Sequence, residues 1–439
     1  MSIYNNLVIR YFMPVADKII GTEFAHFYNL IGLMVEWPRS EILSWQDQKL
    51  RELIAHAYNN TAYYKTLMRA AGMSPDDIQT ISDLKKLPVL KKETLNNNFY
   101  EFVPRNLNKI RYKESATGGT SGDPLKFLLD YRAKSFTTAS TMFNWQKVGY
   151  HYGDKYIALG SHSLMTNYEL PLKYKFYNAL RRRIPLNGIN LSNEVLVSYV
   201  RLIKERNVRF IYGYASAIFL LAQYILETGI KIKHIQACFT TSEMLLENYR
   251  NVIRLAFDCE ILDCYGASDG GVMAFKKNDD EYFVSYNSIL ETHDDFESST
   301  GKLLCTDLFN YAMPFIRYEI GDVVKLKDYK ESTGYNGQVI QKVYGRSSDV
   351  FRLGNGRVLT GPGFTVLFRD KNVNAYRMKL IDPFTILIEL KKNRQYSAAN
   401  ENDILSALKK QAGDDCKIII SHVKDFSKHP NGKMNYFLT

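Results

Sequence analysis

Apolar residues recur along this chain at two alternating spacings. Leu50, Leu53, Ile54 and Ala57 repeat at the helical interval and predict a largely helical stretch from Ser40 to Ala71. Asp76 to Lys92 is a turn-rich connector around Leu87-Pro88-Val89-Leu90. Glu114 to Pro124 is a Gly/Ser/Thr-rich break, too polar for a core element. Beyond it the pattern predicts strand Lys126–Leu129, helix Ala133–Val148, strand Tyr156–Leu159 and helix Glu194–Arg206, with Leu196, Val200 and Ile203 on one face. Strand Val208–Tyr212, helix Ala215–Thr228, strand Ile235–Phe239, helix Met244–Phe257 and strand Glu260–Leu262 follow. Such alternation predicts an α/β domain with mainly parallel pairing.

From Leu303 the runs shorten. Leu303–Thr306, Phe315–Glu319, Val323–Leu326 and Gln338–Tyr344 predict strands of a β-rich subdomain that closes the larger one. Gly345-Arg346-Ser347-Ser348-Asp349 marks a hinge. Asn374–Ile381, Phe384–Leu390, Asp403–Lys410 and Lys417–Ile420 then predict strand, strand, helix and strand, a small α+β unit. The expected division is a large unit over residues 1–344 and a small one over 345–439, and 439 residues suit two or three packed units better than one core.

Charge adds an asymmetry. The net charge is +11, and Arg346 to Thr439 holds 16 Lys+Arg against 9 Asp+Glu. A basic terminal unit favours polyanions such as ATP, a phosphopantetheine carrier, nucleic acid or an anionic membrane surface, or serves solubility alone. No nucleic-acid-binding motif accompanies it. The five cysteines are odd in number and widely spaced, with no C-x-x-C pair, which points to a reducing cytoplasm. Cys259, Cys264 and Cys305 either meet around a metal or are buried, inert thiols. The opening Met1-Ser2-Ile3-Tyr4-Asn5-Asn6 predicts no signal peptide, and no apolar run is long enough to cross a bilayer. The segment before Trp37 is nevertheless rich in Phe12, Met13, Phe24, Phe27, Tyr28, Leu30, Ile31, Leu33 and Met34. It either packs on the main body or rests on a membrane as a peripheral contact.

Candidate chemistry lies in five places. Ser115-Ala116-Thr117-Gly118-Gly119-Thr120-Ser121-Gly122-Asp123-Pro124 has glycines whose backbone N–H groups can approach phosphate oxygens, and hydroxyls that add donors. It is not a Walker loop, which ends Gly-Lys-Ser/Thr. Asp263-Cys264-Tyr265-Gly266-Ala267-Ser268-Asp269-Gly270-Gly271 follows a predicted strand end, where ligands bind in α/β sheets. An aromatic, a hydroxyl and a carboxylate there suit a base, a phosphate and Mg²⁺. Cys305-Thr306-Asp307-Leu308 precedes Met313-Pro314-Phe315-Ile316-Arg317-Tyr318-Glu319-Ile320-Gly321-Asp322, whose Asp322 can accept from a ribose diol. Gly345-Arg346-Ser347-Ser348-Asp349 and Pro430-Asn431-Gly432-Lys433 complete the series. Taken singly, each pattern also fits an ordinary loop or turn.

Their order and spacing resemble the adenylate-forming superfamily of acyl- and aryl-CoA synthetases, luciferases and peptide-synthetase adenylation domains. The resemblance is to the phenylacetate–CoA ligase branch, and within it to adenylate-forming proteins of capsule and surface-polysaccharide biosynthesis. It extends to His56-Ala57-Tyr58-Asn59-Asn60-Thr61-Ala62-Tyr63-Tyr64, Leu87-Pro88-Val89-Leu90-Lys91-Lys92 and Tyr212-Gly213-Tyr214-Ala215-Ser216, and so to nearly the whole chain. It implies a large adenylate-forming domain with mixed sheets, followed by a small mobile one. Thr117, Gly118, Gly119, Thr120, Ser121 and Gly122 would hold the β- and γ-phosphates of ATP. Tyr265 would pack on adenine, Ser268 would contact the α-phosphate, Asp322 would bind ribose and Arg346 the nucleotide. Asp269 stands where the family has a Mg²⁺-binding glutamate, one methylene longer. Asp349 matches the hinge position, and Lys433 the lysine that stabilises the adenylation transition state.

The resemblance implies a carboxylic acid substrate, ATP and Mg²⁺, with CoA, a carrier-protein thiol or the amine of a sugar or amino acid as acyl acceptor. His162, Tyr212, Tyr214 and Phe239 either line the acyl pocket or are structural. The competing expectation is a non-catalytic nucleotide-binding relative, favoured by Asp269 in place of glutamate and opposed by Asp322 and Lys433.

Overall fold

The computed structural model describes residues 3–116, 125–160, 178–179, 181–188, 191–277, 281–297, 299–327, 335–346, 350–355, 357–360, 372–423 and 437–438. In chain order its strands are β1 (Tyr112–Ala116), β2 (Lys126–Asp130), β3 (Tyr156–Gly160), β4 (Arg183–Asn187), β5 (Phe210–Tyr214), β6 (Ala237–Thr241), β7 (Glu260–Ala267), β8 (Val272–Lys276), β9 (Tyr282–Val284), β10 (Ser288–Glu297), β11 (Thr300–Asp307), β12 (Tyr318–Leu326) and β13 (Val339–Arg346). β14 (Val350–Arg352), β15 (Val358–Thr360), β16 (Val373–Asp382), β17 (Thr385–Lys392), β18 (Lys417–His422) and β19 (Phe437–Leu438) follow.

Eleven strands form one sheet in the order β10-β11-β12-β13-β9-β8-β7-β6-β5-β3-β4. The half from β4 to β7 is parallel. Its strands are short apolar runs crossed over by helices Asn193–Glu205, Ala215–Glu227 and Glu247–Phe257, and together they enclose one core cluster. From β7 onward every pairing is antiparallel. The β-rich texture expected after Leu303 is therefore present, and its strands continue the central sheet.

The sequence pattern split β12 in two. The predicted strand Phe315–Glu319 begins only at Tyr318 and runs on without a break to Leu326. Arg317 stops it on the N-terminal side, because its φ of 51° is left-handed and its N–H donates to Thr306 Oγ1 at 3.0 Å. The strand Lys126–Leu129 is present as β2, but it pairs with β1 in a separate antiparallel ribbon.

The N-terminal third is helical. Arg39–Asn60 fulfils the helical pattern, and helices Ile3–Ile20 and Phe24–Met34 precede it. Met13, Phe24, Phe27, Ile31 and Met34 join the largest core cluster, whereas Phe12 and Leu33 are exposed. The apolar segment before Trp37 thus packs on the body by one face and leaves another outside. Residues 373–438 hold a four-stranded sheet, β18-β17-β16-β19, against helix Ala398–Ala412, with their own core around Met378, Ile386, Ile388, Ile404 and Leu408.

Cys238, Cys264, Cys305 and Cys416 are buried, and Cys259 is half-buried with its Sγ 3.6 Å from that of Cys238. No group of three or more His, Cys, Asp or Glu able to hold a metal occurs among the described residues.

Two acids deep in the fold carry a pH signature. Asp130 ends β2 and accepts from the backbone N–H of Arg132 at 2.8 Å and of Tyr311 at 3.3 Å. Burial pushes its carboxyl up to about 6. Asp307 ends β11 and accepts from the Phe309 N–H at 3.0 Å. Burial pushes it up to about 7, and the charge of Asp130 adds to the shift. A carboxyl raised in the fold favours folding while protonated, so its contribution is complete below the usual carboxylate range and is lost as pH rises through about 7. Asp307→Asn should therefore be more thermostable than the parent at pH 8. Its melting temperature should also change less between pH 5 and 8, since one such group alters unfolding free energy by at most about 1.4 kcal/mol per pH unit. Parallel melting curves for the two proteins across that range would count against it.

Candidate active site

The site forms where the sheet divides. β13 pairs with β9 only through Val339 and Ile340, because β9 is three residues long. Past that point β13 continues to Arg346 along β12 alone, and a cleft of about 720 Å³ opens between it and β7. Asp263, Tyr265 and Gly266 of β7 form one wall, and Lys342, Val343 and Gly345 of β13 another. Asp322 of β12 and Tyr282 of β9 also reach it, as does Ser242 after β6, which is held at a left-handed φ of 65°.

Two residues from separate motifs meet here. The Tyr265 phenol donates to Asp322 Oδ2 at 2.6 Å, a length proper to a charge-assisted bond. Asp322 is 8% exposed, so this contact is made largely out of water. The register of β12 on β13 sets Asp322 opposite Arg346 and Val323 opposite Gly345. Gly345 has a φ of 117°, which a residue with a side chain rarely adopts. The ribose-acid candidate and the arginine of the hinge motif are therefore cross-strand neighbours.

A second tier of contacts fixes the Tyr265 ring. Tyr282 meets it edge-on, with centroids 6.2 Å apart, and donates its own hydroxyl to Asp263 Oδ2 at 2.5 Å. Thr240 Oγ1 donates to the other oxygen of Asp263 at 2.6 Å. Burial raises the Asp263 carboxyl above its ordinary range, and the two hydroxyls and nearby cations pull the other way. Sequence reasoning gave Asp263 no role. Its one signal was an acid inside the apolar run Ile261-Leu262-Asp263-Cys264.

The turn after β7 carries Ser268, which is exposed, and Asp269, which is half-buried and accepts from the Tyr318 phenol at 3.2 Å. Both glycines that follow have a positive φ, and the second is also required by packing. A side chain on Gly271, at φ 74°, would strike the buried carboxylate of Asp307.

The Arg317 motif is an internal brace. Its guanidinium donates to Glu291 Oε2 at 3.0 Å and to the Leu87 carbonyl. Leu90 and Tyr318 form a parallel bridge, closed by Leu90 N–H to Arg317 O at 3.0 Å and Glu319 N–H to Leu90 O at 2.9 Å. The Leu-Pro-Val-Leu connector is thereby fastened to the start of the strand that carries Asp322.

Of the acyl-pocket candidates, Phe239 is fully buried and stacks on Trp145, with centroids 3.9 Å apart and planes 6° from parallel. Tyr212 lies against the same indole at 5.1 Å, and Tyr214 is half-buried beside the second core cluster. Thr117 to Gly122, His162, Asp349 and Lys433 lie outside the described residues.

No protein-family model matches the chain. Protein CapK of Staphylococcus aureus is 21% identical over 449 residues, which cover 99% of this chain and 96% of that protein. The phenylacetate-coenzyme A ligase of Escherichia coli is 24% identical over 80% of this chain and 83% of its own length. That of Aromatoleum evansii is 26% identical over 71% and 72%. Among solved structures, an open conformation of 2-hydroxyisobutyryl-CoA ligase in complex with 2-HIB-AMP and CoA matches with a TM-score of 0.65 at 15% identity, over 92% of both chains. The o-succinylbenzoate coenzyme A synthetase from Bacillus subtilis, in complex with AMP, matches with a TM-score of 0.51 at 14% identity, over 74% of this chain and 67% of that one. The structural likeness speaks to the fold, and the sequence likeness runs from end to end. With the ordered motif series and the meeting of Tyr265 with Asp322, they lead to one statement: the chain has the fold of the adenylate-forming CoA ligases and is similar along its length to the phenylacetate–CoA ligase-like branch of that superfamily.

Proposed function

We propose that this protein activates a carboxylic acid with ATP and then passes the acyl group to coenzyme A or another nucleophile. The observation that carries this reading is the cleft at the split of the sheet, where the bonded pair Tyr265 and Asp322 faces the end of β13. A braced phenol ring beside a buried carboxylate suits a nucleoside, the ring for the base and the acid for the ribose diol.

In the first half-reaction an oxygen of the substrate carboxylate attacks the α-phosphorus, and the bond to pyrophosphate breaks. Charge grows on the α-phosphate oxygens as this happens. A cation brought there helps the transition state more than the ground state, the role assigned to the Lys433 ammonium. Thr117 to Gly122 would cradle the β- and γ-phosphates through backbone N–H groups. Ser268 would contact the α-phosphate, and Arg346 the nucleotide. Asp269 fits a Mg²⁺ site, because this ion needs one or two carboxylates and takes its other oxygens from phosphates and water. Bound there it would neutralise phosphate charge.

The division into residues 1–344 and 345–439 belongs to the same proposal. The separate core of the small unit lets it carry Lys433 toward the cleft and away again. In the second half-reaction a thiol or amine attacks the acyl carbonyl and AMP leaves. The CoA ligases among the relatives favour CoA. The resemblance to surface-polysaccharide proteins adds the amine of a sugar or amino acid, and a carrier-protein thiol is the remaining acceptor class. Tyr212, Tyr214 and His162 are the side chains assigned to the acyl group. A cytoplasmic setting fits the five free cysteines and the demand for ATP. Among the described residues no helix is long and apolar enough to cross a membrane.

Two measurements test the reading. Exchange of labelled pyrophosphate into ATP should depend on an added acid, screened over aryl, fatty and amino acids. Lys433→Ala should lower that exchange by at least about a hundredfold, with ATP affinity changed by less than about threefold. Exchange undiminished in this variant would remove Lys433 from the chemistry, and none with any acid despite ATP binding would sink the enzyme reading.

Asp322→Ala should raise the KM for ATP about tenfold, the value of one hydrogen bond to a charged group. The parent should also discriminate against deoxyribose analogues of ATP, and the variant should not. Equal discrimination by both proteins would take the ribose away from Asp322.

A further inference from the structure

The helical stretch Ile3–Ile20 is apolar on the side that faces away from the protein. It runs as an α-helix to Leu7, a π turn over Val8–Phe12 and an α-helix from Met13 to Ile20. Its inner side is anchored by Asn5, Val8, Met13 and Asp17, all buried. Its outer side carries Leu7, Tyr11, Phe12, Val15 and Ile19, which are between 43% and 76% exposed. Leu7, Tyr11, Val15 and Ile19 follow one another at intervals of four. In a pure α-helix that spacing creeps forward around the axis by about 40° a step, and the wider π turn takes part of the drift back, so the stripe stays on one side.

Among the described residues, cations stand on and beside the helix. Arg10 and Lys18 on the helix are exposed. The Arg182 guanidinium sits 3.8 Å over the Tyr4 ring, and the Arg111 side chain lies over Gly21 at the helix end. The neighbouring acids are turned inward or engaged. Asp17 accepts from Thr22 Oγ1 at 2.6 Å and the Ala25 N–H at 2.7 Å. Glu23 pairs with Arg132 at 3.3 Å, and Asp154 accepts from Asn5 Nδ2 at 2.9 Å.

We infer that this helix docks the protein onto a membrane surface containing anionic lipid, lying in the plane of the headgroups. An apolar stripe rimmed by cations is complementary to acyl chains beneath anionic headgroups. It does not suit a second copy of the chain. A twofold contact would set the same patch against itself and gather Arg10, Lys18, Arg111 and Arg182 of both copies in one interface, with like charges and no acids among the described residues of the patch to pair them. The buried inner side keeps the helix on the body, so it inserts sideways and does not span.

Sedimentation of the full-length protein with lipid vesicles tests this. Vesicles with about 30% phosphatidylserine should carry down at least about ten times more protein than phosphatidylcholine vesicles, and about 0.5 M salt should weaken the binding. Val15→Asp with Ile19→Asp should cut binding at least about tenfold. Both positions are exposed, so the melting temperature should hold. Arg10→Glu with Lys18→Glu should remove the preference for phosphatidylserine. Protein that stays in the supernatant with both vesicles, binding without lipid preference, or aspartate variants that bind like the parent would each overturn the inference. So would a dimer in light scattering that those variants dissolve, since a second copy would then be the occupant.

Discussion

The bond from the Tyr265 phenol to the Asp322 carboxylate joins two edges of a sheet that has come apart. β7 and β12 are separated in the strand order by β8, β9 and β13, and in a flat sheet their side chains would lie well beyond hydrogen-bond reach. They meet because β9 ends after three residues and β13 is left to follow β12 around a curve. Register shifts in the β12–β13 ladder, between Val323 and Val324 and between Lys325 and Leu326, add the bend. A strand pairing that stops early leaves backbone groups for a ligand or water to satisfy, and here it also leaves room for one. The cleft is thus a consequence of how few residues β9 has.

A carboxylate that is 8% exposed costs free energy unless it is bonded, and the phenol meets part of that cost. The phenol in turn needs its ring held. Tyr282, Asp263 and Thr240 supply this in series, each from a different strand on the parallel side of the cleft or at its edge. On the opposite side Arg317 ties β12 to the Leu87–Leu90 connector and to Glu291 of β10. The nucleotide candidates therefore stand on two braced walls. This is the arrangement that positions groups before a ligand arrives, so that reorganisation does not have to come out of binding energy.

The sequence showed the parts of this more clearly than their assembly. The parallel half was legible because Ile157-Ala158-Leu159, Phe210-Ile211 and Ile261-Leu262 are short apolar runs separated by amphipathic helices. That pattern has few solutions. Tyr265, Asp322 and Arg346 stood out because each sits in a motif whose order along the chain resembles one superfamily. Their contact could not be read, since it depends on where β13 leaves β9, and Tyr282-Phe283-Val284 is too short to register as a strand. Asp263 is silent in the sequence for a related reason. Its partner Tyr282 is 19 positions away on that same short strand. Arg317 lies within a nucleotide motif, and only a left-handed φ with bonds to Leu87 and Glu291 shows that it braces the fold.

The N-terminal segment shows the same limit from another side. Its composition admitted two fates, packing or resting on a membrane, and treated them as alternatives. They exclude one another only if the helix has a single apolar face. Val8 and Met13 face in, while Leu7, Tyr11, Val15 and Ile19 face out, so the stretch carries apolar residues on two sides. A helix of that kind needs an apolar neighbour on each side. The protein supplies one of them, and the cations set along the other side restrict which second neighbour can approach. Periodicity within the segment could not reveal this, because apolar residues fall on both sides of the helix. Only the position of the body, fixed by residues far away in the chain, divides one face from the other.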